Sequence, residues 1–199
     1  MEQFNSDQQL LLDMWLDGSI EWNVFLDEYG KSGEGFNLEV YRPLLEEARR
    51  CGVRIVGVMP PREKANEYAR TGALPDGYRP GIEVDPYYWK PYPTVLSGLF
   101  PREGPMARIP VERLLWAQSF KDSYAADRIL NVLSEGYKGG FIIMGWAHIE
   151  PRGAVPTRVK ETLRMEPSRM LALGFHDREE LAWVREWIHF LDIDCLIVV

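Results

Sequence analysis

Cysteine is scarce in this chain of 199 residues, and long apolar runs are absent from it. Cys51 and Cys195 lie far apart without the CxxC spacing of a zinc or redox site, so we expect two buried free thiols that suit a reducing compartment. No apolar run approaches the roughly 18–20 residues of a membrane span, and MEQFNSDQQ does not resemble a signal peptide. As given, the sequence is that expected of a soluble, cytoplasmic chain. These features do not by themselves establish the compartment.

The chain also lacks an excess of basic residues and the common catalytic motifs. Its net charge is −7 and its pI is about 5.1, so it offers no positive surface to a phosphate backbone, and nucleic-acid binding is disfavoured. We find no GxGxxG, Walker A, GxSxG or HExxH motif. Dinucleotide binding, P-loop chemistry, the hydrolase nucleophile elbow and zincin chemistry therefore have no support.

The apolar content is ample for a packed core, at 46% of the residues, and it follows an alternating pattern. Buried strands are predicted near 53–59, 140–147, 169–175 and 194–199, with helices before and between them. Such alternation predicts an α/β fold, with a mostly parallel sheet and helices on both faces. We expect a single domain over 1–199, with an ordered excursion rich in proline and aromatic residues at about 73–109.

The most informative stretch is residues 110–156, a long helix followed by an apolar strand and a loop. Gln118 and Asp122 fall within the apolar stripe of that helix, and His148 stands where the strand ends. Inward polar groups need partners, and ligands of open α/β sheets lie beyond the carboxyl ends of strands, so a pocket is predicted here. The alternatives are that His148 is an ordinary loop residue or a satisfied core group, and that Asp122 pairs with Lys121 or Arg128 or faces water at the edge of the stripe.

Other candidate ligand-binding residues are dispersed along the chain. Tyr41 and Arg42 lie just before Pro43 at the start of a predicted helix, and Arg62 begins a helix at a strand's carboxyl end. Tyr88 belongs to an aromatic group that suits the wall of a flat apolar ligand, although a loop packed on itself explains the same residues.

Four segments carry a resemblance to a known family: MEQFNSDQQLLLDMWLDGSI, YRPLLEEARRCGVRIVGVMPPRE, AQSFKDSYAADRIL and FIIMGWAHIEPRGAVPTRV. Together, over roughly residues 1–160, they resemble the ChaN-like haem-binding uptake family of the Tiki and erythromycin-esterase-like superfamily. The resemblance implies a haem- or metal-associated α/β domain of the ChaN/Tiki-like type. It also implies that Glu2 faces the pocket of His148 and that these two residues are metal ligands.

One departure from the family concerns the first half of its site. The family's initial strand, which ends in a G-E-x-H motif, has no counterpart here, so the chain begins at what would be the second strand. A missing strand would expose a sheet edge, and we therefore expect a homodimer. Some relatives are membrane-anchored lipoproteins, and the region that carries their anchor is also without a counterpart.

The resemblance favours a binding protein for haem or an iron-bearing ligand in iron uptake or handling. Tyr41, Tyr88 or His148 would then be the axial donor. The alternative is a metal-dependent hydrolase in which Glu2, Asp122 and His148 hold a divalent ion. A degenerate scaffold without a ligand is the third reading. An enzyme is disfavoured because Glu2 and His148 give fewer than the three protein ligands usual at a catalytic zinc.

Overall fold

The computed structural model describes residues 1–75, 78, 108–137, 140–149, 153–163, 173–176 and 195–198. It divides into two compact units, a first unit of Met1–Arg62 and a second unit of Glu63–Val199. Tyr88 and most of the excursion at 73–109 lie outside the described residues. The expectation of a single domain stays a prediction.

The first unit is built from helices. After a 3-10 turn at Ser6–Gln8, its helices are α1 (Gln9–Leu16), α2 (Trp22–Gly30) and α3 (Leu38–Arg50). A left-handed glycine with φ of 87° follows α1, and the Asn37 side chain caps α3 by accepting a hydrogen bond from the backbone of Glu39 at 3.1 Å.

Aromatic side chains fill the core of the first unit. Trp22, Phe25 and Tyr29 share one face of α2 because they are three and four residues apart, and all three are buried. The Trp15 ring of α1 stacks on Phe25 with a centroid distance of 5.4 Å. The other buried core residues are Phe4, Leu12, Leu38, Leu45 and Ile55.

The second unit contains one long helix and shorter elements around it. The helix α4 (Arg62–Thr71) begins at the unit boundary and is followed by α5 (Val111–Ser134), a 3-10 turn at Trp146–His148 and α6 (Val155–Leu163). Two short strands, β1 (Leu173–His176) and β2 (Cys195–Val198), pair in parallel with Leu173 opposite Cys195. Of the helices described, none has the length and apolar character to cross a bilayer.

Aromatic contacts hold α4 against α5. The Tyr68 ring meets the Phe120 ring edge-on at 5.5 Å, and Tyr78 meets Phe120 at 5.2 Å. The Tyr78 hydroxyl also donates a hydrogen bond to Asp127 of α5 at 3.0 Å. The face of α5 opposite to His148 is thereby fixed by ring packing together with this hydrogen bond.

The predicted fold class is wrong, because the described residues are mainly helical and do not form a mostly parallel sheet with helices on both faces. The predicted strand at 53–59 shows the reason. It runs beside the first residues of the chain, but its only bridge is Asn5 with Met59. The side-chain amide of Gln9 donates to the Ile55 carbonyl and accepts from the Gly57 N–H, both at 2.9 Å, so a side chain takes the backbone groups that a ladder would use.

The predicted strand at 140–147 is also wrong. Residues 140–145 are irregular and 146–148 form the 3-10 turn, which the His148 N–H closes onto the Gly145 carbonyl at 2.9 Å. Phe141 is 99% exposed whereas Met144 is buried, so the apolar run is buried only in part. His148 therefore lies on a turn and not at the carboxyl edge of a strand.

The thiol of Cys51, predicted to be buried, is exposed at the end of α3.

Candidate functional site

The candidate site is formed where α5 meets the 3-10 turn of His148. Asp122 on α5 contacts the Nδ1 of His148 through its Oδ1. Gln118, one helical turn earlier, places its amide nitrogen 2.8 Å from Nδ1 and 3.2 Å from Nε2 of the same ring. Three predicted site residues are thus brought together because positions four apart lie on one helix face.

Both partners of the central contact are buried. Asp122 is fully buried and His148 is 6% exposed, so neither group is solvated by bulk water. A carboxylate beside Nδ1 favours the tautomer with the proton on Nδ1, which leaves the lone pair on Nε2. In that tautomer the Gln118 amide donates to Nε2. The arrangement therefore leaves Nε2 able to donate its lone pair to a metal, while Asp122 holds Nδ1 in place.

A second buried network lies on the adjacent stripe of α5. Arg158 on α6 is fully buried, and its guanidinium donates to the Ser119 carbonyl and the Ser119 hydroxyl, each at 3.1 Å, and to the Ser123 hydroxyl. Its Nε donates to the Gly153 carbonyl at 2.6 Å. Arg158 on α6 therefore joins α5 to Gly153, two residues before α6.

Sequence reasoning missed Arg158, Ser119 and Ser123. A signal for Arg158 was present, since it lies between Val155 and Val159 on the face that α6 buries. An arginine within an apolar helical stripe requires several acceptors, and two serines four residues apart on the neighbouring helix supply them. Ser119 follows directly after Gln118 in the sequence, and Ser123 follows directly after Asp122.

Three of the other predicted ligand-binding residues are in the first unit, whereas Tyr88 lies outside the described residues. Arg42 lies over the Trp22 ring at 5.1 Å and bonds Glu46 at 2.7 Å, and that carboxylate raises the arginine's pKa. Tyr41 packs beside the aromatic core. Arg62 donates to the Gly33 carbonyl. Each has a structural partner, and their part in ligand binding stays a prediction.

The predicted metal ligands were Glu2 and His148. Glu2 lies in the amino-terminal segment of the first unit, and its sharing of a metal with His148 stays a prediction. Within the part of the chain that the structure describes, no three side chains of His, Cys, Asp or Glu gather as a metal site.

Comparison with known proteins finds one family whose model matches this chain. The model of the family described as "Haem-binding uptake, Tiki superfamily, ChaN" matches residues 1–159, which include α1 to α5, His148 and Arg158. No curated protein and no solved structure matches the chain.

Proposed function

Because the chain belongs to the ChaN family of haem-binding uptake proteins in the Tiki superfamily, we propose that it binds haem, with Nε2 of His148 as the donor to the iron. Haem would bring the iron and its redox chemistry. The role of this chain is to hold the imidazole, to orient it and to keep water from it. We propose that the protein binds haem as part of iron uptake or iron handling.

The observation that carries the proposal is the buried contact of His148 with Asp122. Histidine is a common axial ligand of haem iron. A ligating histidine usually donates its other ring N–H to a carboxylate or carbonyl, which fixes the tautomer and raises the basicity of the ligating nitrogen. The donor set thus fits a haem iron. Since Gln118 lies 3.2 Å from Nε2, binding requires its amide to move aside.

Haemin titration tests the proposal. We expect a saturable Soret shift at about one haemin per chain, and a rise in unfolding free energy of about 2.7 kcal/mol at a hundredfold excess over the dissociation constant. His148→Ala should change the iron spectrum, because the axial donor is lost. His189→Ala removes the same side chain elsewhere and should leave that spectrum intact.

Two outcomes contradict the proposal. Unsaturable uptake of haemin by the wild-type protein would show only adsorption to aromatic surfaces. If Tyr41→Phe or Tyr88→Phe changes the spectrum and His148→Ala does not, the donor is a tyrosinate and the assignment of His148 is wrong. The alternative, a metal-dependent hydrolase, would need Glu2, Asp122 and His148 to hold one divalent ion. Among the described residues no three side chains of His, Cys, Asp or Glu gather in this way.

We further propose a homodimer. Large apolar side chains are exposed on the helices of the first unit, with Leu10 at 72% and Val40 at 71%. A second copy of the chain would cover them, and their removal from water would favour association.

A further inference from the structure

Two pairs of side chains run side by side on α5, and each pair holds one buried group. Gln118 and Asp122 hold the His148 ring, whereas Ser119 and Ser123 accept hydrogen bonds from Arg158. The second pair is displaced from the first by one residue. Any rotation of this turn of α5 therefore moves both pairs together.

Arg158 does not take part in the proposed binding of iron. Its guanidinium donates hydrogen bonds to groups of the protein itself, so it is not placed to bind an anionic ligand. Its Nε and both terminal nitrogens donate to Gly153, Ser119 and Ser123 at fixed positions. A fully buried guanidinium is tolerated only with such a set of acceptors. Lysine cannot reproduce the contacts, because its single ammonium lacks the planar fork that reaches three residues.

Arg158 also attaches Gly153, two residues before α6, to the helix that holds the site. His148 is held to α5 through Asp122, and Gly153 is held to α5 through Arg158. The Gly153 N–H also donates to the Thr157 hydroxyl at 3.1 Å, and its φ of 89° is left-handed. Both ends of the segment from His148 to Gly153 are thus attached to one helix.

We propose that Arg158 is a positioning residue for His148. Its guanidinium sets the rotation of the α5 turn that carries Gln118 and Asp122, and so it fixes the orientation of the imidazole that these two residues hold. What the oriented imidazole binds rests on the proposed function, but the positioning itself is a property of the haem-free protein.

The test is nitrogen NMR of the haem-free protein with labelled histidine, which is simple because the chain has only 3 histidines. In the wild-type protein the Nδ1 proton of His148, assigned from the His148→Ala variant, should exchange slowly with solvent because it is buried against Asp122. Arg158→Lys keeps the charge and loses the fork. We expect this exchange to become about tenfold faster or more, since local opening sets such rates, while the other two histidine signals stay in place.

Arg113→Lys is the matched control. It makes the same change on α5, but beside Gly72 and away from the two serines, and should leave the His148 proton unchanged. If Arg158→Lys lowers stability too far, Ser119→Ala with Ser123→Ala removes two acceptors while Arg158 stays, and it should produce the same faster exchange.

Unchanged exchange in Arg158→Lys and in the double serine variant would overturn the positioning role. Movement of all three histidine signals would also overturn it, because that result shows general loosening of the fold. These outcomes are distinct from failure of the proposed function. If haemin does not bind but the exchange changes as expected, the positioning stands and haem is the wrong ligand.

Discussion

Two charged side chains, Asp122 and Arg158, are fully buried in the second unit. Asp122 contacts His148, and Arg158 is surrounded by serine and carbonyl oxygens. Removal of charges from water is unfavourable unless each is paired and hydrogen-bonded, so the two groups stabilise the unit only as a complete set. They are therefore sensitive positions at the scale of single residues.

Asp122→Ala should lower the free energy of unfolding by about 1–3 kcal/mol, because the buried ring N–H of His148 loses the carboxylate that accepts its hydrogen bond. The measurement is urea denaturation followed by circular dichroism. Asp27→Ala is the matched control, since Asp27 pairs with Lys31 at 3.2 Å on the surface with 74% of its side chain exposed, and such a pair contributes less than about 1 kcal/mol. Equal losses in the two variants would contradict the structural role of the buried contact.

At the scale of elements, the segment 53–59 is held by close approach to the amino-terminal residues. A Cβ on Gly57 would lie 2.6 Å from the Asn5 carbonyl oxygen and 2.9 Å from that of Phe4. The Gly57 N–H and the Ile55 carbonyl are both bonded to Gln9 at the start of α1. A glycine and a side-chain amide thus hold the segment together with a few backbone hydrogen bonds, such as that from the Ser6 N–H to the Met59 carbonyl at 2.8 Å.

Gly57→Ala should destabilise the protein by about 1–3 kcal/mol, because the backbone must move to admit the methyl group. Gly30→Ala, at the end of α2 where a Cβ meets nothing within 4 Å, should be neutral or slightly stabilising through helix propensity. Thermal melts of the two variants give the comparison. A Gly57→Ala protein as stable as the wild type would show that this close approach is not maintained in solution.

At the scale of the whole molecule, the proposed homodimer is tested by mass. The chain has a mass of 23.0 kDa, and light scattering at high micromolar concentration should give twice that value. Leu10→Lys with Val40→Lys should shift the mass towards the monomer, because each lysine would place a charge in an apolar contact. A wild-type mass of 23.0 kDa at all concentrations refutes the dimer, and a dimeric double variant refutes the assignment of these two residues.

Local patterns in the sequence were enough to predict the long helix α5 and its inward polar pair. Apolar periodicity indicated the helix, and the presence of Gln118 and Asp122 within its apolar stripe indicated that both side chains turn inward. The family was predicted from four segments within roughly residues 1–160, and the match over residues 1–159 confirmed it. These features are local, because a helix face and a motif depend on residues a few positions apart.

The conformation of the apolar segments and the contacts of the inward polar side chains depend on packing between distant parts of the chain. An apolar run has the same composition whether it forms a strand or an irregular segment, and the choice depends on which groups bond its backbone: at 53–59 a distant glutamine does so. The clamp of Arg158 on Ser119 joins residues 39 positions apart, which no spacing rule connects. The local pattern fixes which groups turn inward, whereas the packing of distant segments decides what each of them meets.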